Sequence, residues 1–247
     1  MIAVYAATWL VLGPLPQDPA YHLLADVRTC FGFIPRAGDV LTNLAILAAA
    51  IYGLALRSRF NVTPGERPAA NLLVAGAFLT AFGSAYYHWD PRNSTLVWDR
   101  LPMMLTLPPL VVLVLADRVN PAFARRALVP LTVFALACVL WWSFTEAIGQ
   151  EDVRLYFMVR VLLAVAILAL VVLRPARYTG TGWLVGAIVG EGAMTTFERL
   201  DHQIFALTGG LASGDNLKHV AVGIALVCVF NWLARRRPRA PAALVPA

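Results

Sequence analysis

The stretch RLYFMVRVLLAVAILALVVL, residues 154–173, decides the fold class. After Arg160 it runs without a polar residue to Leu173. Twenty residues at about 1.5 Å each make a helix about 30 Å long, the thickness of a bilayer's hydrocarbon core. Six further segments have the same character: 39–57, 68–88, 96–116, 127–145, 181–198 and 214–234. The whole chain agrees with this reading. Of its 247 residues 60% are hydrophobic and 14% charged, against about 45–50% and about 25% in soluble domains. A disordered chain and an ordinary soluble globule are both excluded. The expectation is an all-α, polytopic membrane bundle of seven transmembrane helices. A short hydrophobic segment, 1–13, precedes it as a retained extra helix. The bundle domain spans 14–234, and an Arg/Pro/Ala tail occupies 235–247.

Arginines set the orientation. Arg57, Arg59, Arg67, Arg118, Arg125, Arg126, Arg174, Arg177, Arg235, Arg236, Arg237 and Arg239 fall on one side if the segments alternate. Asp18, Asp26, Asp90, Glu146, Glu151, Asp152 and Asp201 fall on the other. The Arg-rich side and the C-terminus are therefore expected in the cytoplasm. The net charge of +6 comes from these clusters and not from a basic face, so nucleic acid is not an expected partner. Short loops and an Ala/Arg/Leu-rich composition point to a bacterial inner membrane. Cys30, Cys138 and Cys228 form no paired or metal-binding pattern and read as small packing residues.

Polar groups inside apolar spans are costly and mark function. Ser84 and His88 end one span, Asp99 opens the next, and Asp215 and His219 open the last. All five sit at the non-cytoplasmic depth. Both pairs are spaced i,i+4, which puts each on one helix face. Two imidazoles and a carboxylate suit Zn²⁺ with a position left for water, whose pKa such an ion lowers to about 7. A blander reading stands beside this one: Asp215 as a helix N-cap, and Ser84 bonded back to the carbonyl of residue 80.

The segment GSAYYHWDPRNSTLVWDRLPM (83–103) resembles the second-to-third helix region of alkaline ceramidases. These belong to a superfamily of seven-helix membrane hydrolases that includes progestin/adiponectin receptors and Per1-type GPI-remodelling proteins. YHLLADVRTCFGFIPRAGDVLTNL (21–44) and DHQIFALTGGLASGDNLKH (201–219) are similar to bacterial members. The family pattern is Ser-x3-His, an Asp on the next helix, and His-x3-His on the last. The resemblance implies Zn²⁺ on His88, His219 and residue 215. Ser84 and Asp99 would orient the water and stabilise the oxyanion, with Asp99 as general base. The implied substrate is a ceramide from the bilayer, cleaved to a fatty acid and a sphingoid base. Two positions depart from the pattern. Asp215 stands where the family has His; His202, one loop away, is a candidate substitute ligand but reads first as an interfacial residue. Eukaryotic ceramidases carry an acidic calcium site. Here Asp26, Asp39 and Asn43 lie nearby, but Arg36 replaces a family Glu, so Ca²⁺ is not expected.

Arg160 and Glu191 fall at matching depths on successive spans and are expected to pair. Trp89, Trp98, Trp141 and Trp142 suit an aromatic belt. Pro102, Pro108 and Pro109 should kink their helix, and Gly182, Gly186 and Gly190 should admit a close neighbour. Two other classes compete with the hydrolase: a receptor-like sensor with a structural metal, and a transporter built on the Arg160 and Glu191 charges.

Overall fold

The computed structural model describes residues 1–239. The expected tail lies outside the described residues beyond Arg239. The described chain is helical and contains no β-strand. Its helices are α1 (Ile2–Leu12), α2 (Ala37–Leu56), α3 (Arg67–Trp89), α4 (Asn93–Met103), α5 (Leu107–Arg118), α6 (Pro121–Ala147), α7 (Arg154–Leu173), α8 (Thr181–Arg199), α9 (Asp201–Leu207) and α10 (Gly214–Arg235).

Among the described residues, 6 helices are long and apolar enough to cross a membrane. They are α2, α3, α4 with α5, α6, α7 and α10. The expectation of seven such spans is therefore met only in part. α8 is a helix of 19 residues, but Glu191 and Glu198, with its threonines and glycines, keep it out of that set. Its charges turn towards partners inside the bundle. Arg160 on α7 lies 3.6 Å from Glu191, as expected from their depths. Glu198 accepts from Tyr21 Oη at 3.0 Å.

Helices in lipid gain little from burying apolar surface against one another, so close fit has to hold them. Small residues supply that fit. A Cβ on Gly190 would meet Ala225 Cβ at 2.9 Å, and one on Gly186 would meet Cys228 Sγ at 3.1 Å. Gly182 faces open space, so two of the three glycines on α8 serve its contact with α10. Gly223 of α10 rides on the backbone of Ala45 in α2, and Gly83 of α3 on the backbone of Trp98 in α4. The prolines do more than kink their helix. The helix breaks at 104–106, between Pro102 and Pro108.

α1 has no buried residue and is too short to span the bilayer. It is tied down by Trp141 Nε1 donating to Tyr5 Oη at 2.8 Å and by Arg154 donating to the Gly13 carbonyl. The end of the bundle far from His88 is cross-braced. Arg236, fully buried, pairs with Glu66 at 2.7 Å. Asp117 Oδ1 accepts from the backbone N–H groups of Arg177 at 3.0 Å and Tyr178 at 2.9 Å. Arg118 Nη1 donates to the Arg174 carbonyl at 2.9 Å.

Gly83 fixes how closely α4 approaches Ser84 and His88. Gly83→Ala should cost about 1–3 kcal/mol by overpacking. A lower unfolding temperature in detergent, with Gly182→Ala unchanged as the control, checks this.

Candidate metal centre

The end of the bundle that carries the site is built from the start of α2, the end of α3, the start of α4 and the start of α10. Ser213 caps α10, its Oγ accepting from Asn216 N at 3.0 Å. Asp215 is thereby released from the capping role that the blander reading gave it. Ser84 is likewise turned away from its own helix, with Oγ 3.4 Å from His219 Nε2.

His88 and His219 meet. Their Nε2 atoms are 3.1 Å apart, and the rings are 0% and 2% exposed. Each remaining nitrogen has its own neighbour. His219 Nδ1 lies 2.9 Å from Thr42 Oγ1. The Thr42 hydroxyl donates to the Gly38 carbonyl at 2.7 Å, so it accepts from the ring and Nδ1 of His219 carries the proton. His219 Nε2 then presents a bare lone pair.

His88 Nδ1 faces a different group. Asp215 Oδ2 is 3.8 Å away. Asp39, His88 and Asp215, all buried, offer ligand atoms within 4.8 Å of one another, and this group could hold a metal ion. Its atoms are conspicuously unpaired. Asp39 Oδ2 and His88 Nδ1 have no hydrogen-bond partner among the described residues, and neither has Asn43 Oδ1 one turn along α2. The other Asp39 oxygen accepts from Ser213 Oγ at 2.9 Å and Asn216 Nδ2 at 2.5 Å.

The five expected residues are thus distributed around one imidazole. His219 and Ser84 stand on its Nε2 side and Asp215 on its Nδ1 side. Asp99 lines, with Ser84 and His219, a cavity of about 310 Å³ that runs between the helices past Leu73, Leu107 and Leu168. Asp215 opens instead on a smaller outer pocket of about 140 Å³. Lys218, on the walls of both, bridges Asp215 at 2.9 Å and Glu198 at 3.3 Å. His202 is exposed, bonds to the Leu23 carbonyl at 2.8 Å and does not join the centre.

Zinc–nitrogen bonds of about 2.0–2.1 Å at a tetrahedral angle put two nitrogens about 3.3 Å apart. The observed 3.1 Å is close to that, so the two rings fit a shared ion. Asp26 is paired with Arg28 at 2.6 Å. Burial works to raise this carboxyl, but the hydrogen bonds and charge of Arg28 prevail and hold it below the usual carboxylate value. Arg36 donates to the Trp89 carbonyl at 3.1 Å. Tyr21 stays a donor to Glu198, because burial and then the Glu198 charge hold its phenol well above the ordinary value.

Sequence reasoning missed Thr42 and Lys218, and it gave Asp39 to calcium. Asp39 and Thr42 are polar residues one turn apart at the start of an apolar helix, at the depth of Asp215; that was the available signal.

No family model and no curated protein matches this chain.

Thr42→Val removes the acceptor that fixes the His219 tautomer. It should weaken metal binding about 10–100-fold, the usual effect of losing an outer-shell partner, as read by competition with a chelator.

Proposed function

We propose that this protein is an integral membrane hydrolase, zinc-dependent, that cleaves lipid amides, with α8 as its seventh span, the C-terminus in the cytoplasm and the metal towards the other face. The observation that carries this reading is the approach of His88 Nε2 to His219 Nε2, 3.1 Å apart, at the edge of a cavity with long apolar walls. Nδ1 of His219 is protonated towards Thr42; when Nδ1 of His88 also carries its proton, on the side of the carboxylates, two lone pairs face each other. A cation between them removes the conflict. The side of His88 that faces His219 is also the side nearest Ser84 and the cavity, where an amide arriving from the bilayer would lie. Asp215, 3.8 Å from His88 Nδ1, and Asp39 then stand behind the His88 ring, where carboxylates commonly orient ligating imidazoles.

Zinc bound there would supply Lewis acidity and a water that ionises near neutral pH. The chain's own groups do the rest. Ser84 donates to the carbonyl oxygen as negative charge develops on it. Asp99 takes the proton of the attacking water and returns it to the amide nitrogen as the C–N bond breaks. The products are a carboxylic acid and an amine. Ceramide, implied by the family resemblance, is the first substrate to try.

Metal analysis of purified protein, with turnover of a lipid amide, tests the proposal. His88→Ala and His219→Ala should each lose the ion and at least about 10³-fold of activity. Asp39→Asn should keep the ion. If His219→Ala retained metal and Asp39→Asn lost it, the ion would sit on the Nδ1 side of His88 and the proposed chemistry would fail. Cysteine labelling from each face of the membrane tests the topology: a cysteine at position 239 should react only from the cytoplasm.

A further inference from the structure

The charged residues on the cavity wall do not all find partners. Arg160 faces Glu191 at 3.6 Å, and Lys218 bridges Asp215 and Glu198. Arg100, also on the wall, makes no such pair. It is 2% exposed. Its Nη2 donates to Gln17 Oε1 at 2.6 Å, while Nη1 has no hydrogen-bond partner among the described residues. Two aromatic faces flank the guanidinium, Trp142 at 4.3 Å and Tyr156 at 4.4 Å. Such faces attract the charge but accept no ordinary N–H···O bond. A buried guanidinium with no carboxylate at ion-pair distance is expensive in a low-dielectric interior. Its planar fork matches a carboxylate better than a neutral hydroxyl.

We propose that Arg100 anchors the acidic head of the ligand, so that the cavity takes lipid amides bearing a free carboxylate, the N-acyl amino acid class. This rests on the hydrolase reading of the same cavity. Asp99, assigned to proton transfer, and Arg100 line the same cavity. A ligand that sets its anion on Arg100 and its amide at Asp99 carries both groups in one head, as an N-acyl amino acid does. The apolar walls at Leu107 and Leu168 would receive the acyl chain. Hydrolysis adds water across the amide: the C–N bond breaks, the acyl carbon gains the oxygen, and the nitrogen gains the proton. A fatty acid and an amino acid result.

Binding of N-lauroylglycine and of its uncharged analogue N-lauroylethanolamine to the purified full chain in neutral detergent tests this. The acidic probe should bind at least about tenfold more tightly, the worth of one charge-assisted hydrogen bond. Arg100→Gln should abolish that preference without weakening the neutral probe, and Arg100→Lys should keep part of it. The preference should persist in His88→Ala, where turnover is lost. Equal affinity for the two probes in the wild type, a comparison that needs no variant, overturns the proposal. So does a preference that survives Arg100→Gln. Either result would leave hydrolysis of neutral amides standing. Tight acidic binding with no turnover of either probe would support the Arg100 site and count against the hydrolase.

Discussion

A buried imidazole must have something on each of its nitrogens. His88 is fully enclosed where four helix ends meet. One nitrogen looks at two carboxylates and the other at a second imidazole. Much of the surrounding structure serves this arrangement. α10 must begin with a capping serine so that Asp215 is released. α2 must present Asp39 and Thr42 one turn apart. α3 must end with two polar residues on one face. Each requirement is local, and together they converge on one ring.

The low dielectric that makes this cluster expensive also explains its neighbours. Lys218 is tolerated because Asp215 and Glu198 flank it. Glu198 is tolerated because Lys218 and Tyr21 bond to it. Around Lys218 the polar end of the bundle is a chain of mutual compensation; Arg100 stands outside it, as do Asp39 Oδ2, Asn43 Oδ1 and His88 Nδ1.

The helices were legible because lipid imposes one strong rule, an apolar run of fixed length, and residues 154–173 obey it plainly. α8 obeys it poorly. Its glutamates have partners in the bundle, and a hydropathy rule cannot see partners. The pairing of Arg160 with Glu191 was legible from depth alone. The meeting of His88 with His219 followed from i,i+4 spacing and common depth. Which side of His88 each carboxylate occupies was not legible. That depends on the rotation of α10 about its axis, which Ser213 and the close approach of Gly214 to Phe197 and Asp201 help to fix. In the sequence Asp39 reads only as a calcium candidate, because its companions come from α3 and α10, far away in sequence.

The cross-bracing at the opposite end has a mechanical meaning. Glu66 with Arg236 joins the root of α3 to the end of α10, and Asp117 with Arg118 joins the end of α5 to the segment leading into α8. The end that carries the site is tied as well: Ser213 and His219 join α10 to α2, and Lys218 joins it to α8. The two imidazoles ride on different helices, α3 and α10. Any guest large enough to part those two helices therefore also stretches the gap between the rings, so occupancy of the greasy interior and the hold on any cation between them become one mechanical variable.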